Sequence, residues 1–329
     1  MISIIEKIII EKKVKKITRD DCFYFNLKDY IRMSDLSRML LVMNSDMLVS
    51  TTDFPPYMNY FQFGLRAVIS NISDLIVKGV KPKGIILSLG IPNYLNLDDF
   101  KNIIKGIVNS CNKYDLDYIG GDLNETKEII ISPTVFGFQE NNKIIPREGI
   151  EVGDILVANG KFGLTGVGFD ILLNQNNYES LKKRYKQSIQ SVLEPDILGF
   201  EGLLIAEKKL ASGSIDSSDG LAKSLLDLMQ VNKNIGFEIN FDKNLVSEEA
   251  IRYAQEFGKN INELVFNGGE EFIHLFTIHK DKFDDFKNYM KKTNGKINEI
   301  GRVISEPKIY VNKDNKKEEI NLKGYEHFG

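Results

Sequence analysis

Apolar residues recur at Leu65, Val68, Ile69, Ile72, Leu75 and Ile76. That spacing predicts a helix over 62–78, stopped by Gly79 and Pro82. Asn71, Asp74 and Lys78 fall on its opposite, polar face. The same period returns in Phe100, Ile103, Ile104, Ile107, Val108 and Cys111, behind Asn96 as a helix cap. Ile2, Ile4, Ile5 and Ile8, set among Glu6, Lys7 and Glu11, predict a short amphipathic helix over 2–16 rather than a signal peptide. Strands are predicted over 39–49, 85–90 and 129–138, the first interrupted by Asn44-Ser45-Asp46. Tyr118-Ile119 runs into a predicted turn at Gly120-Gly121-Asp122. Strands alternating with helices predict an α/β or α+β fold.

A boundary is expected around 146–153. Beyond it Gly160, Gly163, Gly166 and Gly168 precede a helix near Phe169. No Lys-Ser follows these glycines, so they read as packing or turn chemistry and not as a phosphate loop. Ser214-Ile-Asp-Ser-Ser-Asp-Gly-Leu221 opens a helix bearing Leu221, Leu225, Leu228 and Met229. A further strand and helix lead to Asn267-Gly-Gly-Glu-Glu-Phe272, and the chain closes on Gly324-Tyr-Glu-His-Phe328. A length of 329 residues predicts two domains with cores of their own.

Composition narrows the function classes. Hydrophobic residues at 42% and charged residues at 27% exclude a disordered chain. A net charge of −3 gives no electrostatic footprint for nucleic acid. The lysine-rich stretches at 11–16 and 280–292 read as solvated faces. Cys22 and Cys111 form no Cys-x-x-Cys pattern, which points to a reducing, cytoplasmic compartment without disulfides or zinc. No apolar run approaches the ~20 residues that span a bilayer, so no membrane partner is expected.

The candidate chemistry is carboxylate chemistry. Three histidines in no metal spacing and no Gly-x-Ser-x-Gly elbow leave aspartates at element ends: Asp20, Asp21, Asp46, Asp74, Asp122, Asp216 and Asp219. Oxygen-only donors select hard cations such as Mg²⁺, and converging carboxylates need such cations to coexist. Each aspartate also has a local reading. Asp216 and Asp219 suit a helix cap, Asp20 and Asp122 suit turns, and Asp74 suits a pair with Lys78.

Five segments in order resemble the thiamine-monophosphate kinase family of the aminoimidazole ribonucleotide synthetase-like superfamily. They are Asn71-Ile-Ser-Asp-Leu-Ile-Val-Lys-Gly-Val-Lys-Pro82, Ile119-Gly-Gly-Asp122, Ile215-Asp-Ser-Ser-Asp-Gly-Leu221, Gly268-Gly-Glu-Glu-Phe272 and Lys323-Gly-Tyr-Glu-His-Phe328. The resemblance implies a two-domain fold, 1–148 for ATP and metal binding and dimerisation and 149–329 as a C-terminal α/β domain, with N-terminal halves pairing in a homodimer. It implies Mg²⁺ at Asp20, Ser45, Asp46, Asp74, Asp122, Asp216 and Asp219, with Asp74 and Asp219 catalytic. ATP would meet Gly121, Asp122, Arg147 and Ser218, and the acceptor Asp53, Glu270 and Tyr325. The implied reaction is in-line transfer from ATP to thiamine monophosphate, giving thiamine diphosphate without a covalent intermediate.

The chain departs from the family pattern in places. Arg19-Asp-Asp-Cys-Phe23 stands for the usual Gly-Asp-Asp-Ala-Ala, and Asn44-Ser-Asp46 for Ser-Thr-Asp. Asp53 replaces a substrate-contacting histidine, and Ile104 an aromatic of the adenine pocket. The Asp53 replacement motivates one alternative, a related ATP-using enzyme with another phosphorylated or carboxylated acceptor. A second alternative is a non-catalytic nucleotide-binding homologue, against which the retained aspartates argue.

Overall fold

The computed structural model describes residues 2–11, 27–174, 178–314 and 316–320. Asp20, Asp21, Cys22 and Tyr325 lie outside the described residues. The chain divides into two compact units, Met1–Ile76 with Val80–Asn142, and Val77–Gly79 with Lys143–Gly329. Among the described residues no helix is long and apolar enough to cross a membrane.

In the first unit, α1 (Ile2–Glu11) precedes β1 (Met39–Ser45), β2 (Leu48–Val49), the single-turn α2 (Ser50–Asp53) and the long α3 (Tyr60–Val77). Then come β3 (Pro82–Ile91), α4 (Leu97–Tyr114), β4 (Asp117–Glu125) and β5 (Ile130–Glu140). The sheet runs β1-β5-β3-β4, with β2 also on β5. Its β3–β4 pair is parallel and the others are antiparallel. The predicted α4 stripe from Phe100 to Cys111 is buried throughout, Ile104 included. Asn96 caps that helix, its Oδ1 accepting from the amides of Asp98 and Asp99 at 3.0 and 2.9 Å.

On the polar face of α3, Asn71 is fully buried while Asp74 and Lys78 are half-buried. One expectation for this unit is corrected. Residues 120–122 form no turn but lie inside β4, where the register shifts between Ile85 and Ile86 of β3 and leaves Ile119 as a bulge. Gly121 is needed there because a Cβ would lie 1.8 Å from Leu87 O.

The second unit holds β6 (Ile155–Ala158), α5 (Leu164–Asn174), α6 (Tyr178–Leu181), α7 (Lys186–Leu193), α8 (Glu201–Lys208) and β7 (Ala211–Ser217). It continues with α9 (Leu221–Val231), β8 (Gly236–Asn240), α10 (Glu248–Phe257), α11 (Ile261–Phe266) and β9 (Ile273–Ile278). It closes with α12 (Phe283–Lys292), β10 (Asn298–Ile304), β11 (Ile309–Lys313) and β12 (Lys316–Glu319). The sheet order is β12-β11-β8-β10-β6-β9-β7. Val77, Ile145, Val157, Phe276 and Phe286 share one buried cluster. The glycine-rich stretch is packing, as its sequence predicts. A Cβ on Gly166 would sit 2.3 Å from Leu264 O and one on Gly168 2.2 Å from Ser188 O, so α5 touches α11 and α7 backbone to backbone.

Candidate functional site

In the first unit the end of β1 meets α3. Asn44 Nδ2 donates to Asp74 Oδ2 at 2.5 Å and, more weakly, to Asp46 Oδ2 at 3.4 Å. The buried Asn71 Oδ1 accepts from the Asp46 amide at 2.9 Å, and its Nδ2 donates to Ala67 O at 3.0 Å. Two carboxylates separated in sequence are thereby drawn to one neutral amide. Carboxylate oxygens are the donor type that could hold a hard cation such as Mg²⁺.

Asp122 is exposed on β4, and it lies opposite Ser88 of β3, which lies opposite Ser132 of β5. Ser132 Oγ donates to Asp46 O at 3.3 Å, so a polar row crosses the sheet from Asp122 to Asp46. Ser45 Oγ donates to Pro133 O at 2.9 Å and accepts from Thr134 Oγ1 at 3.0 Å. Among the described residues, no three His, Cys, Asp or Glu side chains are already grouped to hold a metal ion.

Asp53 does local work. Its Oδ2 accepts from the Val49 amide at 2.7 Å and from Thr52 Oγ1 at 3.0 Å, closing α2 against β2. Its carbonyl accepts from Arg66 Nη1 at 2.6 Å.

The second unit carries the remaining candidates on β7 and two loops. The capping reading of Asp216 is corrected: it lies inside β7, 5% exposed and opposite His274 of β9. The position before α9 is Gly220, with a φ of +99°, and no side chain caps it. Ser218 is exposed and Asp219 half-buried, on the turn between β7 and α9. That turn is held from behind, the amides of Glu270 and Phe272 donating to Ser218 O at 2.5 Å and Ser217 O at 3.0 Å. Lys78 Nζ donates to Ser214 O at 2.6 Å and Ser214 Oγ at 3.1 Å. Burial, helped by the Lys78 charge, pushes the His274 pKa down to about 3, so its ring is neutral and no proton carrier near pH 7.

Arg147 is exposed, and its backbone is fixed by a residue that sequence reasoning missed. Asn232 Nδ2 donates to Arg147 O at 2.8 Å, while its Oδ1 accepts from the amides of Gly149 and Ile150 at 3.0 and 3.1 Å. Locally Asn232 reads only as the end of α9, where its Nδ2 also donates to Leu228 O at 2.9 Å, because its other side-chain partners lie more than 80 positions earlier. For Asn71 the sequence does carry a signal, its place three residues before Asp74 on the same polar helix face.

The profile described as "AIR synthase related protein, N-terminal domain" matches residues 20–139, and "AIR synthase related protein, C-terminal domain" matches 151–314. The chain is 33% identical over 324 residues to the thiamine-monophosphate kinase of Nitrosopumilus maritimus, covering 97% of this chain and 96% of that protein. It is 30% identical over 297 residues to that of Methanocaldococcus jannaschii, covering 87% and 86%. AaThiL complexed with AMPPCP and TMP superposes with a TM-score of 0.74 at 27% identity, covering 99% of this chain and 96% of that one. E. coli HypE, a hydrogenase maturation protein, shares the fold at a TM-score of 0.74 and 15% identity, over 99% and 98% of the two chains.

Proposed function

Because this chain belongs to the thiamine-monophosphate kinase family, and is accordingly a kinase of the AIR synthase-related fold, we propose that it phosphorylates thiamine monophosphate with ATP and Mg²⁺. A phosphate oxygen of the acceptor attacks the γ-phosphorus in line, the bond from that phosphorus to the β–γ bridging oxygen breaks, and ADP leaves as thiamine diphosphate forms. The AaThiL complex with AMPPCP, an ATP analogue, and TMP supports this pair of substrates.

The observation that carries the reading is the meeting of Asp46 and Asp74 at the Asn44 amide. Asp46, Asp74, Asp122, Asp216 and Asp219, with Ser45 and with Asp20 outside the described residues, would hold the magnesium. Bound there, Mg²⁺ neutralises charge on the polyphosphate. The exposed Arg147 forks onto phosphate oxygens, and Ser218 and the backbone at Gly121 meet the nucleotide. Glu270 and Asp53, with Tyr325 outside the described residues, would meet the acceptor. One Asp53 oxygen already serves the Val49 amide, so this residue shapes the rim of that site more than it binds phosphate. With His274 neutral and buried, the chemistry rests on positioning and charge neutralisation instead of a proton relay.

The first domain would also pair with a second copy of the chain. Leu41 and Met43, 55% and 56% exposed, share one sheet face with the 38%-exposed Ile86, because Met43 lies opposite Phe136, and Ser45 and Ile86 both lie opposite Thr134. An apolar face of that kind needs a cover.

The test is incubation of the protein with ATP, Mg²⁺ and thiamine monophosphate, with the products separated chromatographically. Thiamine diphosphate and ADP in equal amounts are expected. ADP released only with another phosphorylated metabolite overturns the assignment of the acceptor.

A further inference from the structure

The loop at 268–272 is bonded in two directions, and one side chain provides the second. Glu270 and Phe272 hold left-handed φ values of +61° and +49°, a conformation costing a non-glycine residue about 1 kcal/mol or more. Their amides bond Ser218 and Ser217. Between them Glu271 reaches the opposite way, its Oε1 accepting from the amides of Gly163 at 2.7 Å and Thr165 at 3.4 Å. Its partners lie 108 and 106 positions earlier in the chain. The residue is 9% exposed, and Oε2 has no hydrogen-bond partner among the described residues. A buried acid with an idle oxygen is a poor stabiliser, and strained loops over-determined by their surroundings gather at functional sites.

We propose that Glu271 is a positioning residue for phosphoryl transfer. By holding loop 268–272 to the backbone at 163–165, it fixes Glu270 on the acceptor side. Through the carbonyls of Ser217 and Ser218 it also fixes the turn that carries Asp219. The inference rests on the reading of Glu270 and Asp219 given above. Burial pushes the Glu271 carboxyl up to about 8, against the opposing pull of the Gly163, Thr165 and Leu164 amides. The acid is therefore protonated at neutral pH, and glutamine, with a carbonyl in the same place, is its near mimic.

Glu271→Ala and Glu271→Gln are to be compared with the wild type for kcat, for KM of ATP and thiamine monophosphate, and for thermal melting. Alanine is expected to raise KM for the acceptor about tenfold and to lower kcat/KM about 100-fold, the scale of a misplaced reacting group. Its melt should remain cooperative, and glutamine should recover most of the loss. A folded alanine variant with all three constants within about threefold of wild type overturns the proposal, as does a glutamine variant equally impaired. If alanine does not fold, Glu271→Asp, one methylene shorter, is read by the same criteria. If the wild type itself makes no thiamine diphosphate, the functional reading fails alone. AMPPCP binding with Mg²⁺ then decides, and a Kd unchanged by Glu271→Ala sinks the positioning role.

Discussion

In the first unit Asp46 and Asp74 are half-buried and held by the side-chain amides of Asn44 and Asn71. In the second, Asp216 sits inside a strand and Asp219 rides on a turn fixed by main-chain bonds to loop 268–272. The Asn44 side chain can swing aside, whereas a ladder and a clamped turn cannot. The difference teaches that a carboxylate held by another side chain is adjustable, while one held by main-chain bonds is set in a frame.

The largest expected break in this contrast comes from Asp74→Asn. Removing the charge while keeping the shape should lower kcat about 100-fold or more, with the melting transition unchanged. Near wild-type turnover in steady-state assays would show that the adjustable carboxylates are not the working ones. Asn232→Ala attacks the frame. It leaves the amide of the buried Ile150, and that of its exposed neighbour Gly149, without their acceptor, and should cost about 1–2 kcal/mol in denaturant unfolding. KM for ATP should also rise as Arg147 loses its tether, and an unchanged KM would confine Asn232 to stability.

The third test uses pH. The native Glu271 pKa of about 8 lies above the ordinary 4.5, so between those values the folded chain keeps a proton that the unfolded chain has lost. The stability tied to this group is therefore complete below pH 4.5 and is lost as pH rises through about 8. Melting temperatures of wild type and Glu271→Gln should diverge over that window in favour of glutamine, and parallel curves would mean the carboxyl is ionised when folded. The smallest effect is that of Asn96→Ala, a cap remote from either cluster in its bonding. It should cost about 1 kcal/mol of stability and leave kcat alone.

Much of the scaffold could be read from the chain. The α4 stripe and its Asn96 cap are local features, visible in a window of one or two turns, and both form as read. Residues 120–122 were misread because two glycines signal a turn wherever they occur, and only a partner strand reveals that they serve a bulge and a close approach to Leu87. The string from Ser214 to Leu221 reads as the opening of a helix, yet its first four residues lie in β7. There Ser214 Oγ is satisfied by Ile145 O, 69 positions away, and the neighbouring Ser212 Oγ by Asp154, 58 positions away. Such partners convert polar residues into a buried strand, and no local pattern announces them. Asp74 and Asp46 stand out in the sequence as candidates, but Asn44 as the amide between them follows only from the fold.

The second unit borrows Val77–Gly79 from the end of α3, and this complicates any attempt to dissect the protein. A fragment cut at Lys143 would lack the Val77 side chain that plugs the cluster around Ile145 and Phe276, and the ammonium that Lys78 offers to Ser214. Excised 143–329 should consequently be expressed as a leaky, early-melting piece, and supplying residues 77–79 on a peptide linker is the graft that would seal it.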